Sequence, residues 1–353
     1  INGVAKGSSQ ELLKYYVESP SGKGIEAISK KIEISGNAQL KMNIEMPIRD
    51  IKQTKLQGEV KLDKNQAKIN QKLDVQQITG DILFSEDNII GRNLKAQLLG
   101  GEILFDNANK LPWQSSSDMK VSGKFDINQL IQALNASDSS QIKKLQAHLN
   151  GAVAYDGKLA IRSKGYQLDL GLKLDQLASQ FPAPFNKKTG QGLGGQFTLT
   201  NLNESSDRPT SGQLKVGKII DANFVFGANQ PPRIGLGINA PGNLPQKGFA
   251  STILLDQLDV SIWQSWLDKN LPESSQQANT NVAPSSDFEI DTISARIKNL
   301  KLADRSFKDI AIQATHDKEQ WHASIQSPVA KGLVQWKSAR AGFPQGKLTA
   351  RLQ

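Results

Sequence analysis

Residues 36–48 read GNAQLKMNIEMPI, and apolar side chains occupy every second position of this stretch. Successive side chains of a β-strand point to opposite sheet faces, so the spacing predicts a strand with one apolar and one polar face. A strand buried on both faces would be continuously apolar, so the pattern favours an antiparallel sheet with water on one side. The same alternation recurs near residues 166–175 and 222–226. The apolar positions so identified are Leu40, Met42, Ile44, Met46, Leu168, Leu170, Leu172, Leu174, Phe224 and Phe226.

A glycine-led pattern repeats along the chain, in which a polar or small residue and then alternating apolar residues follow the glycine. From Gly36 to Gly123 the copies are separated by 22, 22, 21 and 22 residues, which indicates a repetitive fold. Turn-forming residues fall at the glycines and midway between them, as at residues 63–66 and at Asp156-Gly157. We therefore expect two strands per unit in an up-and-down meander. A parallel β-helix is the alternative, but Asp156-Gly157 between two alternating runs is typical of a tight hairpin.

Three segments break the alternation and are predicted to be short helices: 9–17, 128–134 and 260–267. The first has an apolar stripe formed by Leu12, Leu13, Tyr16 and Val17 behind a Ser9 cap. These helices are expected to plug or cap the sheet. Residues 271–287 are rich in Ser, Gln, Asn and Pro and are predicted to be a polar linker or loop.

The composition excludes several classes of chemistry. The 353 residues include no Cys and only 3 His, so disulfides, thiolate nucleophiles and Cys-based metal sites are excluded. The 43 basic residues, which give a net charge of +9, are interspersed with 34 acidic ones, which favours a solvated surface over nucleic-acid binding. No apolar stretch approaches the ~18 residues of a membrane span. The chain begins at Ile1 without a signal-peptide pattern, so we expect an internal segment of a longer protein.

No constellation of residues predicts catalysis or a cofactor. Gly190, Gly192 and Gly195 match the spacing of a dinucleotide-binding loop, but a strand and not a helix is predicted to follow them. His316 and His322 flank a turn and could meet across a hairpin, yet two histidines without placed carboxylates rarely hold a metal. We expect a non-enzymatic protein without metal or cofactor.

A long meander must cover its apolar face by closure, a second sheet, helices or an apolar ligand. The predicted helices are few and short, and the repetition argues against a single barrel. An open groove that holds acyl chains is therefore the expected arrangement. We predict a β-groove segment over residues 1–270, the linker 271–287, and a continuation of the groove over 288–353.

Residues 73–106, LDVQQITGDILFSEDNIIGRNLKAQLLGGEILFD, resemble the corresponding stretch of YhdP-like proteins in the AsmA-like superfamily. Weaker resemblances are Ser19-Pro20 after the first helix, Met46-Pro47-Ile48, the strand-then-helix segment 254–267, and 332–353 with Trp336. The resemblance implies a β-groove ("β-taco") protein anchored in the inner membrane of a Gram-negative bacterium. It also implies a periplasmic body that carries phospholipids toward the outer membrane, and no catalytic residues.

Residues and resemblance together predict a periplasmic segment of a bridge-like lipid-transfer protein, with the ten apolar positions above lining a groove for phospholipid acyl chains. Other parts of the full protein would contact the inner and outer membranes. Two alternatives stay open. One is an envelope scaffold or outer-membrane protein assembly factor. The other is a carbohydrate-acting β-helix, which would need paired acids on one sheet face.

Overall fold

Twenty-two β-strands and four short helices make up the part of the chain that the computed structural model describes. That part comprises residues 1–18, 29, 31–47, 54–85, 89–106, 118–134, 140–162, 165–202, 209–227, 230–270, 290–317, 320–329, 331–337 and 347–352. The predicted mainly-β class is confirmed. The chain divides into two compact units, Ile1–Ala178 with Lys188–Arg208, and Ser179–Lys187 with Pro209–Gln353. The predicted linker 271–287 lies outside the described residues.

The elements follow the chain in order. The first thirteen strands are β1 (Asn2–Ser8), β2 (Ile32–Ser35), β3 (Asn37–Glu45), β4 (Lys55–Ile69), β5 (Leu73–Ser85), β6 (Ile89–Leu98), β7 (Gly101–Asp106), β8 (Asp118–Asp126), β9 (Leu149–Asn150), β10 (Ala152–Arg162), β11 (Gly165–Lys173), β12 (Ala178–Ser179) and β13 (Gly194–Leu202). The remaining strands are β14 (Thr210–Val216), β15 (Ile220–Phe226), β16 (Arg233–Ile238), β17 (Gly248–Asp259), β18 (Ile290–Leu302), β19 (Arg305–Asp317), β20 (Gln320–Gln326), β21 (Lys331–Lys337) and β22 (Lys347–Leu352). The helices are α1 (Ser9–Glu18), α2 (Ile127–Leu134), α3 (Ser140–Gln146) and α4 (Val260–Asn270).

Twenty strands belong to one mixed sheet, and β9 and β12 form a separate pair. In the first unit the order of antiparallel pairing is β1, β3, β4, β5, β6, β7, β8, β10, β11, β13. Strand β2 pairs with the far end of β4. Among the described residues no register joins β1 to β13, so this ladder is open and is not a closed barrel.

The second unit contains a parallel section, so the expectation of a wholly antiparallel meander is wrong there. Strands β14 to β16 and β18 to β22 pair antiparallel, whereas β16 with β17 and β17 with β18 pair parallel. Parallel neighbours need a connection that returns the chain to the starting end of the sheet. After β17 this return begins with α4, which follows the strand directly.

Two predicted turns lie inside strands. Asp156 and Gly157 are in the middle of β10 and pair with both β8 and β11, so the predicted hairpin at this dipeptide is wrong. Glycine is needed there because a Cβ would overlap the carbonyl oxygen of Asp169 on the neighbouring strand. Residues 63–66 form a β-bulge within β4, where Lys64 has a φ of 55° and the register shifts.

Aspartate caps explain why two strands pass directly into helices. Asp126 Oδ1 accepts hydrogen bonds from the amides of Asn128 (2.9 Å) and Gln129 (3.1 Å) at the start of α2. Asp259 Oδ1 does the same for Ser261 (3.0 Å) and Ile262 (3.3 Å) in α4. The three segments predicted as helices fall within α1, α2 and α4, whereas α3 was not predicted.

Candidate functional site

Strand register gives the first unit a shared apolar face. Leu40 of β3 lies opposite Val60 of β4, which lies opposite Ile82 of β5. A second row crosses β7, β8, β10 and β11, and its members are Ile103, Gly123, Tyr155 and Leu172. Ile82 and Ile103 line the same cavity, so the two rows face the same side. We call this surface the apolar face.

A cavity of about 360 Å³ lies between α1 and the apolar face of the first unit. Helix α1 contributes Leu12, Leu13 and Tyr16, all half-buried, and strands from β2 to β7 contribute most of the remaining lining. Beside the cavity, Leu12 and Tyr16 pack against a buried cluster of Leu40, Leu56 and Phe84. We call this space the α1 cavity.

A buried polar node fixes the start of α1. Asn65 is 0% exposed, and its Nδ2 donates to Ser9 Oγ (3.0 Å) and to the Ser35 carbonyl (3.2 Å). Its Oδ1 accepts from the Asp63 amide (2.9 Å), while Ser9 Oγ donates to the Gly36 carbonyl (2.8 Å). A buried amide with its donors and acceptor used holds its partners in one geometry. The bulge in β4 thus positions the helix that covers the cavity.

Alternation predicted that the face opposite to the apolar face is in contact with water. At β5 and β6 this prediction is wrong. Phe84 belongs to the cluster under α1, whereas its neighbour Leu83 is buried in a second cluster with Ile90 and Met119. Leu83 lies opposite Ile90, which is 0% exposed, so both faces of β5 and β6 are covered here. The cover comes from Met119, which lies opposite Leu159 on the apolar face of β8 and β10. The continuous apolar runs at residues 82–84 and 89–90 were the sequence signal for this burial, and reasoning from alternation missed it.

The predicted groove residues occupy different environments. Leu40 is buried and lines the α1 cavity, Met42 and Ile44 pack against the same cluster, and Met46 is 51% exposed beyond the end of β3. In β11, Leu168, Leu170 and Leu172 alternate on the apolar face, opposite Leu159, Gly157 and Tyr155. Leu172 and Leu174 are buried, and Leu168 and Leu170 are half-buried. The structure thus brings together the β3 residues, and separately those of β11.

An apolar face also runs through the second unit. Phe224 lies opposite Ile234, which lies beside Phe249 in the parallel section. Phe224 is half-buried and Phe226 is 41% exposed, with their ring centroids 5.5 Å apart. These two predicted groove residues therefore share one face of β15.

Sequence reasoning missed an aromatic cluster in the second unit. Trp263 and Trp266 of α4 contact Phe185 and Phe181, with ring centroids 6.0 and 5.0 Å apart. Trp263 Nε1 also donates to the Ala183 carbonyl (3.2 Å). The loop between β12 and β13 thus packs against α4. Sequence separation of about 80 residues between the partners hid this contact.

The structure separates the residues that could have supplied chemistry. His322 lies opposite Thr315 while its neighbour Trp321 lies opposite His316, so the two histidines point to opposite faces and do not meet. No group of three or more metal-ligating side chains occurs within the described residues. Gly190 and Gly192 lie in a turn that leads into strand β13 without an intervening helix.

One close pair of carboxylates is bridged by an arginine. Arg92 Nη2 lies 2.8 Å from Glu59 Oε1 and 2.9 Å from Asp81 Oδ2, on the face opposite to the apolar face. The hydrogen bond to Asp81 and the nearby negative charges raise the pKa of Arg92 above its ordinary value. Both carboxylates share one permanently charged guanidinium, which suits a structural ion pair and not a general acid and base.

Comparison with known proteins places the chain in a family. Within the described residues, no helix is both long and apolar enough to cross a membrane. No curated protein matches the chain, and no solved structure does. The family model described as "YhdP protein" matches residues 1–353. This match covers the open β-ladder, the apolar face and the α1 cavity alike, and the chain therefore belongs to the YhdP protein family.

Proposed function

We propose that this chain is a periplasmic segment of a bridge-like lipid-transfer protein that moves phospholipids between the inner and outer membranes. The acyl chains lie on the apolar face and the headgroups stay in water. Parts of the full protein outside this chain make the inner-membrane anchor and the outer-membrane contact. The observation that carries the proposal is that two rows of paired residues, across β3 to β5 and across β7 to β11, face the same side of an open ladder.

The physical chemistry of that face suits transport better than tight recognition. Burial of apolar surface stabilises by about 25 cal/mol per Å² and does not depend on the position of a chain along the surface. A tail can therefore move past Leu168, Leu170 and Leu172 without breaking directional contacts. Strand pairing keeps the apolar face rigid, because the backbone hydrogen bonds of the sheet do not depend on the lipid.

The proposal assigns no chemical step to the chain. Metal-ligating clusters are absent from the described part, and the carboxylates of Glu59 and Asp81 are bridged by Arg92. Binding and release of lipid are then the whole task.

Neighbouring residues of β11 provide a matched test. Leu170 and Asp169 are both half-buried but point to opposite faces. A photoreactive amino acid at Leu170 should capture phospholipid in cells that carry the full-length protein, and one at Asp169 should not. Equal capture at both positions would contradict the proposal. Capture of protein but no lipid at Leu170 would favour the scaffold or assembly-factor alternative.

A further inference from the structure

The α1 cavity differs from the rest of the apolar face because a helix covers it. Leu12, Leu13 and Tyr16 form its roof, and residues of β4, β5 and β6 form its floor. Elsewhere on the described face of the first unit, Leu168 and Leu170 are half-buried without lining this cavity. The helix therefore separates the α1 cavity from the rest of the apolar face.

The size and polarity of the compartment indicate an apolar ligand. Purely apolar cavities stay dry, and one of about 150 Å³ is enough to bind benzene. The α1 cavity, at about 360 Å³, is more than twice that size and lies within the range of about 300–1,000 Å³ for small-molecule sites. An unbranched hydrocarbon would fill it without leaving a polar group unpaired.

The lining is also long in one direction. On β5 it extends from Val75 to Phe84, which at ~3.3 Å per residue corresponds to at most about 30 Å. One lipid tail spans half of a ~30 Å bilayer core, or about 15 Å. The compartment is thus long enough for one tail lying along the strand.

The roof is tied to the sheet at Ser9 and at Tyr16, and apolar contacts hold it between these two points. The first residue of α1 is tied to the sheet by the Ser9, Asn65 and Gly36 hydrogen bonds. Farther along the helix, Leu12 and Leu13 contact the floor through apolar groups, which a hydrocarbon tail can replace without loss of burial, and the Tyr16 hydroxyl donates a hydrogen bond to the Ser85 carbonyl (3.3 Å).

We propose that the α1 cavity is a discrete binding site for a single unbranched acyl chain, covered by α1 as a lid and separate from the open apolar face. This inference rests on the proposed function, since it adds a binding site for one tail beside the apolar face along which lipids move. The tail belongs to a phospholipid or to a free fatty acid, which share the hydrocarbon that the site recognises.

Cavity-filling substitutions test the site. Leu13→Trp narrows the cavity from the half-buried lid, and Ala96→Phe narrows it from the buried floor, where Ala96 is 4% exposed. Val17→Trp is the matched control on α1, because Val17 is half-buried but does not line the cavity. Ala314→Phe, at an 8% exposed position in the second unit, controls for overpacking. Circular dichroism selects the folded variants, and Leu13→Trp keeps the test available if Ala96→Phe unfolds.

The measurement is photolabelling of the 353-residue chain with diazirine-bearing palmitic acid and, separately, with a phosphatidylethanolamine carrying the same tail. We expect saturation at one label per chain and labelled peptides from α1 and β4 to β6. The affinity should fall at least about tenfold in Leu13→Trp and Ala96→Phe, equivalent to about 1.4 kcal/mol, and stay unchanged in both controls.

The outcomes separate this inference from the proposed function. The discrete site is overturned if labelling does not saturate, spreads over both units and is unchanged in the cavity variants. That outcome leaves the proposed function intact. If neither probe labels the chain, both the discrete site and the proposed function are overturned. Saturable labelling by palmitic acid alone supports the acyl-chain site and identifies a free fatty acid as its source.

Discussion

Phe84 of β5 lies directly opposite Gly58 of β4, and its ring occupies the space that a side chain at Gly58 would need. Tyr155 of β10 is placed in the same way over Gly123 of β8, with its hydroxyl oxygen 2.7 Å from the position of a Cβ on that glycine. Both glycines lead copies of the 22-residue pattern. At these positions the pattern therefore marks places where a ring from the next strand packs over the sheet, and not turns.

Gly58→Ala should destabilise the chain by about 1–3 kcal/mol, because the new methyl group overlaps the Phe84 ring in a packed cluster. Urea unfolding measures the change. Gly171→Ala is the control, since its Cβ would have no neighbour closer than 3.5 Å. Removal of a strand glycine without strain ordinarily stabilises slightly. Equal effects at the two positions would show that Phe84 does not require the glycine.

Asn65→Ala should cost about 1–3 kcal/mol, because it removes a buried amide that bonds Ser9 and the Ser35 carbonyl. Loss of this node should also speed amide hydrogen exchange in α1 more than in β10. Gln66→Ala, at the exposed next position, should leave both quantities unchanged. Unaltered exchange in α1 of the Asn65 variant would show that the node does not hold the helix.

Burial raises the pKa of Tyr155 to about 12, above the ordinary value of about 10. A raised folded-state pKa means that the unfolded chain loses the proton first as pH rises. The contribution of Tyr155 to stability is therefore complete below about pH 10 and is lost as pH rises toward 12. The free energy of unfolding of the wild type should fall relative to Tyr155→Phe over this window. Parallel curves for the two proteins would contradict a buried hydroxyl.

Local patterns predicted the parts of the fold that depend on side-chain direction. The stripe of Leu12, Leu13 and Tyr16 predicted the buried side of α1, and alternation placed Leu168, Leu170 and Leu172 on one face. These patterns work because the helix period of about 3.6 residues and the strand period of 2 residues follow from backbone geometry alone. The use of those residues as a lipid lining stays a prediction.

Features that depend on partners far apart in sequence could not be read locally. The parallel pairing of Ile238 with Ile253 has the same side-chain period as antiparallel pairing, so alternation carries no information on direction. Asp156-Gly157 has the composition of a turn, but its glycine accommodates the Asp169 carbonyl of the next strand. Prediction of the α1 cavity would have required the hydrogen bond between Asn65 in the bulge and Ser9, which lies 56 residues earlier.

The central claim is that the apolar face binds lipid, and mass spectrometry of organic extracts from the purified chain tests it most directly. The wild type should carry phospholipid. Leu170→Asp should fold, because the half-buried carboxylate can reach water, but carry much less lipid, since a charge interrupts the hydrocarbon surface. Gln196→Asp, on the exposed face of the adjacent strand β13, should carry as much as the wild type. Extracts of the wild type with no more phospholipid than an unrelated protein, or a folded Leu170→Asp variant with undiminished lipid, would contradict the account.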